Sequence, residues 1–165
     1  MMRRLATILA WCGFVAVVAG CGYSARPMTR EGVRTVYVPI FENRTFRRGL
    51  EFDLTREVVD KINQKTQLKI AEKDTADTLL RGEIVEVRQR EIVRNEPLKP
   101  EEVRVLVCAS VTWVDRRTNQ VLMKQQNVQS PAEYIVSRRQ DFTSASKEAM
   151  SDLAEKIVNL MEEAW

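Results

Sequence analysis

Val103-Arg104-Val105-Leu106-Val107-Cys108-Ala109-Ser110-Val111-Thr112-Trp113-Val114 (VRVLVCASVTWV, 103–114) decides the fold class of this chain. Val103, Val105, Val107, Ala109, Val111 and Trp113 are all apolar, while Arg104, Leu106, Cys108, Ser110, Thr112 and Val114 alternate with them. A period of two sends successive side chains to opposite faces of a pleated strand, so this is a strand with one wholly apolar face. On its C-terminal side Asp115-Arg116-Arg117-Thr118-Asn119 reads as a hairpin loop, and Val121 to Val128 returns as the next strand, which Pro131 is expected to end. The stretch to Arg139 reads as irregular. On its N-terminal side Leu79 to Val93 is a long strand, broken at Asn95-Glu96-Pro97, with Pro100 closing the break. An antiparallel meander therefore forms the middle of the domain.

Further out, the period changes. Leu50, Leu54, Val58 and Ile62, joined by Val59, recur at helical spacing, with Glu51, Asp53, Arg56, Glu57, Asp60 and Lys61 on the other faces. Phe142, Ala145, Ala149, Leu153, Ile157, Leu160 and Ala164 form a second stripe, with Met150 and Met161 at its margins and Asp141 or Thr143 as cap. Val33 to Phe41 is a β-branched and aromatic run, hence a strand, in which Pro39 disfavours full pairing. Asn43-Arg44-Thr45 follows as a loop, Leu68 and Ile70 form a short strand, and Ala76-Asp77 sits in a polar turn. Two apolar helix stripes must be buried against something. The expectation is a single α+β domain over 33–165, with two amphipathic helices packed on one face of a small, mostly antiparallel sheet.

The first twenty residues have a different character. Met1-Met2-Arg3-Arg4 is a short positive start, Leu5 to Val18 is apolar apart from Thr7 and Gly13, and Ala19-Gly20 precede Cys21. Positive, apolar, small is the order of a secretory signal, and the apolar run is short of the roughly 20 residues of a comfortable membrane span. Val18-Ala19-Gly20-Cys21 resembles a lipobox. That likeness implies removal of 1–20, an S-diacylglycerol and an N-acyl chain on Cys21, and a tether over 21–32. Two or more acyl chains are what stable anchoring needs. Gly22, in place of the Asp that favours inner-membrane retention, implies the outer membrane. An ordinary signal with a chance cysteine, or an uncleaved anchor, is the alternative.

Removing Arg3 and Arg4 from the 26 basic residues leaves 24 against 23 acidic ones, a balance unlike the basic field of a nucleic-acid binder. The sequence has no histidine, which removes the usual general base, the commonest zinc ligand and the usual catalytic triad. Its six glycines are scattered and make no phosphate loop. Glu101-Glu102 and Glu162-Glu163 are sequence neighbours, whose side chains diverge on a helix or strand. With Cys12 in the signal and Cys21 lipidated, Cys108 is left without a disulfide partner and reads as a small buried hydrophobe. No enzyme, metal or cofactor is expected. Arg88, Arg90 and Arg94 share one face of the long strand near Glu86, with Arg104 on the next strand and Lys124 on the one after. Guanidinium forks match phosphate oxygens, so Arg88, Arg90 and Lys124 are candidate contacts for a phosphorylated glycolipid. The competing reading is a solvated strand face whose charges discourage edge pairing.

Several stretches in order carry a family likeness. They are Cys21-Gly22-Tyr23-Ser24, VYVPIFENRTFRRGLEFDLTREVVDKI (36–62), Ala76-Asp77-Thr78-Leu79-Leu80-Arg81-Gly82, Val114-Asp115 through Leu122, and Asp152-Leu153-Ala154-Glu155-Lys156-Ile157-Val158. Together they resemble LptE, the lipopolysaccharide-assembly lipoproteins, although Asn119 stands where glycine is common in that family. The resemblance implies a non-enzymatic lipoprotein that plugs a large outer-membrane β-barrel, LptD, helps it fold, and with it places lipopolysaccharide in the outer leaflet. It implies no particular glycolipid-contact residue. The alternative is a periplasmic lipoprotein that regulates a cell-wall synthase or scaffolds a secretion pore. A Cys21→Ala chain is expected to remain uncut and to lack, by mass spectrometry, the acyl mass carried by the processed wild type.

Overall fold

The computed structural model describes residues 32–95 and 99–164. The expected signal, Cys21 and the tether apart from Gly32 lie outside the described residues. The elements in chain order are β1 (Thr35–Tyr37), β2 (Glu42–Asn43), α1 (Leu50–Lys65), β3 (Lys69–Ile70), β4 (Thr78–Asn95), β5 (Lys99–Asp115), β6 (Val121–Ile135) and α2 (Phe142–Glu163). A 3-10 turn, Val136–Arg138, leads into α2. They form one six-stranded sheet in the order β3-β1-β4-β5-β6, with β2 also pairing β4 beyond the end of β1. The long ladders β4–β5 and β5–β6 are antiparallel, while the short pairings of β1 with β3 and β4, and of β2 with β4, are parallel. The α+β class holds, with a mixed sheet.

The alternating stretch lies at the centre of that sheet. Val103, Val105, Val107, Ala109, Val111 and Trp113 are all buried. All but Val103 join Leu54, Val58 and Ile62 of α1 and Ala149, Leu153 and Ile157 of α2 in one apolar cluster, so both helix stripes close over the same face. Met150 and Met161, placed at the margin of the α2 stripe by spacing, are buried with the rest of the stripe. Asp141 caps α2: its Oδ1 accepts from Ser144 N–H at 2.9 Å, and Ser144 Oγ accepts from Asp141 N–H at 3.2 Å. That reciprocal pair satisfies two otherwise orphaned donors.

Three boundaries differ from expectation. The strand expected over 33–41 stops at Tyr37 and resumes as β2. Pro39 cannot donate to a ladder, and the chain swings so that Phe41 lies buried over Gly82. Pro100 belongs to β5, opposite Arg94, and so does not close a break, because the hairpin partner continues past it. Pro131 lies within β6, opposite Leu106. As β6 is the last strand of the sheet, a proline there forfeits no ladder bond on its outer side.

Two local devices hold the β1–β4 side together. A Cβ on Gly82 would stand 2.1 Å from Phe41 Cε2, so only glycine lets the ring lie against β4. Asp77 Oδ2 accepts from Arg34 N–H (3.0 Å), Thr35 N–H (3.1 Å) and Thr35 Oγ1–H (2.9 Å), while Thr35 Oγ1 accepts from Asp77 N–H (2.8 Å). Hydrogen bonds from Arg34 and Thr35 hold the Asp77 carboxyl below the usual carboxylate range, against the opposing effect of its partial burial.

Gly82→Ala is expected to cost about 1–3 kcal/mol in urea unfolding, because Phe41 must leave its seat. The depressed Asp77 carboxyl stabilises the fold above the ordinary carboxylate value of about 4, and that contribution is lost as pH falls through the lower, folded-state value. Asp77→Asn should therefore cost about 1 kcal/mol near neutrality and flatten the acid limb of the stability–pH profile.

Candidate functional site

The face of the sheet away from the helices carries the candidate residues, and two bulges decide which side chains reach it. On β4, Leu80 and Ile84 point into the core, so simple alternation would send Glu86, Arg88 and Arg90 inward too. The register instead shifts between Ile84 and Glu86. Beyond that shift Val87 opposes the buried Val107, while Glu86, Arg88 and Arg90 stand opposite Cys108, Leu106 and Arg104 on the open face. The β5–β6 ladder shifts between Ala109 and Val111, where Asn127 has φ 56. That shift puts Gln129, Pro131 and Glu133 on the same open face as Leu106 and Arg104.

The result is a shallow groove of about 460 Å³, with Arg88, Arg90 and Arg104 around Leu106 and Pro131, and Gln129 and Glu133 on the β6 side. Arg90 and Arg104 are direct cross-strand neighbours. Like charges in that position repel, and Glu133, opposite Arg104 on its other side, compensates. Arg104 Nε donates to Glu133 Oε1 at 2.7 Å, which holds the Glu133 carboxyl below its usual value. Arg88 Nη2 donates to Glu86 Oε2 at 2.6 Å, lowering the Glu86 carboxyl and raising the Arg88 guanidinium. Arg90 has no such partner among the described residues. Exposed pairs of this kind open readily to a competing anion. Cys108 lies beneath the cluster, 3% exposed, and burial pushes its thiol up. That environment suits a packed small side chain better than a nucleophile.

Arg88 and Arg90 are thus together, joined by Arg104. Lys124 is elsewhere: it opposes Thr112, which in turn opposes Arg81. Eight residues separate Arg104 from Thr112 along β5, roughly 27 Å. Arg94 lies in β4 opposite Pro100. Cys21 is outside the described residues. The members that sequence reasoning missed are Leu106, Pro131, Gln129 and Glu133, since strand parity beyond a bulge is not legible from spacing. Among the described residues no group of three or more His, Cys, Asp and Glu side chains could hold a metal ion, and no helix is long and apolar enough to cross a membrane.

The N-R-T loop is a second ordered feature. Asn43 Oδ1 accepts from Thr45 N–H (2.9 Å) and Thr45 Oγ1–H (2.7 Å), and Asn43 Nδ2 donates to Glu51 Oε2 (2.6 Å). Glu51 Oε2 also accepts from Gly49 N–H at 3.0 Å, where Gly49 starts α1 at φ 97. The Asn43 bond is the main reason the Glu51 carboxyl is lowered. Arg47 lies over the Phe142 ring at 3.8 Å, tying the loop to α2.

The family model described as "LptE: Lipopolysaccharide-assembly" matches residues 33–161. No curated protein sequence matches the chain. Among solved structures, a Xanthomonas campestris protein of the DUF330 family is similar with TM-score 0.59 and 10% identity, covering 86% of this chain and 89% of that one. A hypothetical protein of Chlamydia trachomatis is similar with TM-score 0.57 and 13% identity, covering 80% and 97% respectively. An uncharacterized lipoprotein B from Nitrosomonas europaea is similar with TM-score 0.53 and 13% identity, covering 76% and 80%. At such identities the likeness is one of fold.

Proposed function

The chain belongs to the LptE lipopolysaccharide-assembly family, and from that premise we propose that it is a non-enzymatic outer-membrane subunit anchored through lipid on Cys21. It works with a large β-barrel resembling LptD to place lipopolysaccharide in the outer leaflet, seated in the barrel as a plug and assisting its folding. The observation that carries this reading is the open-face groove, where guanidinium groups of Arg88, Arg90 and Arg104 surround the apolar Leu106 and Pro131. A phosphorylated glycolipid offers both anionic oxygens and hydrocarbon, and a groove of forks around an apolar floor complements both. The helices cover only one face, so this one stays accessible in a domain whose other apolar surface is spent on its core. A function of position and contact also agrees with a sequence that has no histidine.

A mild-detergent pull-down of the lipidated chain should bring with it one β-barrel much larger than itself. Recovery of an inner-membrane synthase, or of a ring of copies of this chain, would overturn the barrel partnership. For the glycolipid, Arg88→Ala with Arg90→Ala should weaken lipopolysaccharide binding by about tenfold or more, with loss of its salt dependence. Lys124→Ala alone, which leaves the groove intact, should have a smaller effect. Unchanged affinity of the double variant would remove the groove from the proposal.

A further inference from the structure

A second hollow, of about 370 Å³, opens on the β1–β4 side of the sheet. Its lining includes the apolar Ile40 and Leu79 together with the cations Lys73, Arg81 and Arg116. Arg81 is seven residues before Arg88 on β4, roughly 23 Å along the strand, so this is a separate place from the groove.

We propose that this hollow binds the anionic head of an amphiphile, a phosphomonoester or carboxylate, with Arg81 and Lys73 on the charge and Ile40 with Leu79 against the hydrocarbon. Ile40 is 58% exposed beside a well-formed core, an aliphatic side chain left facing solvent at the mouth of a polar hollow. Arg81 and the Lys73 ammonium have no carboxylate partner among the described residues. Glu83, the next side chain on the Arg81 face, is taken by Arg44. Glu42 is the one carboxylate among the lining residues, against three cations. Arg116 is pinned: its Nη1 donates to Ala76 O at 3.1 Å and to Lys73 O, which fixes the turn that carries Lys73. Arg81, Thr112 and Lys124 form a cross-strand row, which extends the positive rim across the open face. A purely apolar ligand would strip water from unpaired cations without replacing it, and a bare anion would leave the Ile40 side wet. An anion carrying a short hydrocarbon satisfies both halves. The inference stands on this hollow alone and does not need the glycolipid groove.

The experiment uses the full lipidated chain in lipid nanodiscs of phosphatidylcholine, titrated with hexyl phosphate, inorganic phosphate and hexanol. Hexyl phosphate should bind, and both inorganic phosphate and hexanol should bind about tenfold more weakly or worse. Arg81→Gln and Ile40→Ser should each weaken hexyl phosphate severalfold, with unchanged circular dichroism because both side chains are exposed. Arg90→Gln should leave it unchanged. The proposal is overturned if hexyl phosphate fails to bind, if Arg81→Gln binds it as the wild type does, or if inorganic phosphate binds as tightly. Loss in Arg90→Gln with Arg81→Gln intact would place the ligand in the groove instead.

Discussion

The Asp77 carboxylate is the interaction on which the arrangement of the sheet depends. β1 meets β4 over only two residue pairs in parallel. Parallel pairing is weak per residue, and two pairs alone would not fix a register. Asp77 supplies what the ladder lacks, binding the backbone of Arg34 and Thr35 just as β4 begins. Its own carbonyl accepts from Arg116 N–H at 2.9 Å, so the β5–β6 hairpin is tied to the same point. Three chain segments far apart in sequence are thereby brought to one end of the sheet. With β1 placed, Phe41 can reach Gly82, β2 can pair beyond it, and α1 can begin over the core.

From that end the sheet is read outward by parity. Among the described residues the helices cover one face, which leaves the strand side chains of the other face accessible. The bulges then govern its chemistry. Without the shift after Ile84, Arg88 and Arg90 would point toward the helix layer, where unpaired charge is costly. With it, the cations gather over Leu106 and Pro131 while Val87 rejoins the core. The same fold that buries its apolar positions on one side thus concentrates paired and unpaired arginines on the other, in a form suited to binding through contact.

Much of this was legible residue by residue. The alternation from Val103 to Trp113 and the helical stripes at Leu50–Ile62 and Phe142–Ala164 each carry a period that only one secondary structure satisfies. The class followed from them, and so did the expected shielding of Cys108. The prolines misled where they were read as stops: Pro100 sits in a hairpin arm and Pro131 in an edge strand, and neither place is visible without knowing the strand order. The parallel pairings of β1, β2 and β3 were equally hidden, since they join residues dozens of positions apart. At the site, Arg88 and Arg90 could be paired from spacing because they lie on one strand. Lys124 could not be placed relative to them, because that requires two ladder registers and a bulge.

The sequence by itself determined the two helices and the central strands, which stripes are buried, and that no histidine is on offer in it, because those follow from periodicity and composition along the chain. It also carried, in the order of its motifs, the likeness to the lipopolysaccharide-assembly lipoproteins. Tertiary structure alone decided the strand order, the Asp77 clamp and the parity of each side chain beyond a bulge. A single unpaired residue inverts every later side chain on a strand, and its position is set by the partner strand rather than by local preference. That is why the groove of Arg88, Arg90 and Arg104, and the separate hollow at Arg81 with its row to Lys124, appear only once the sheet is assembled.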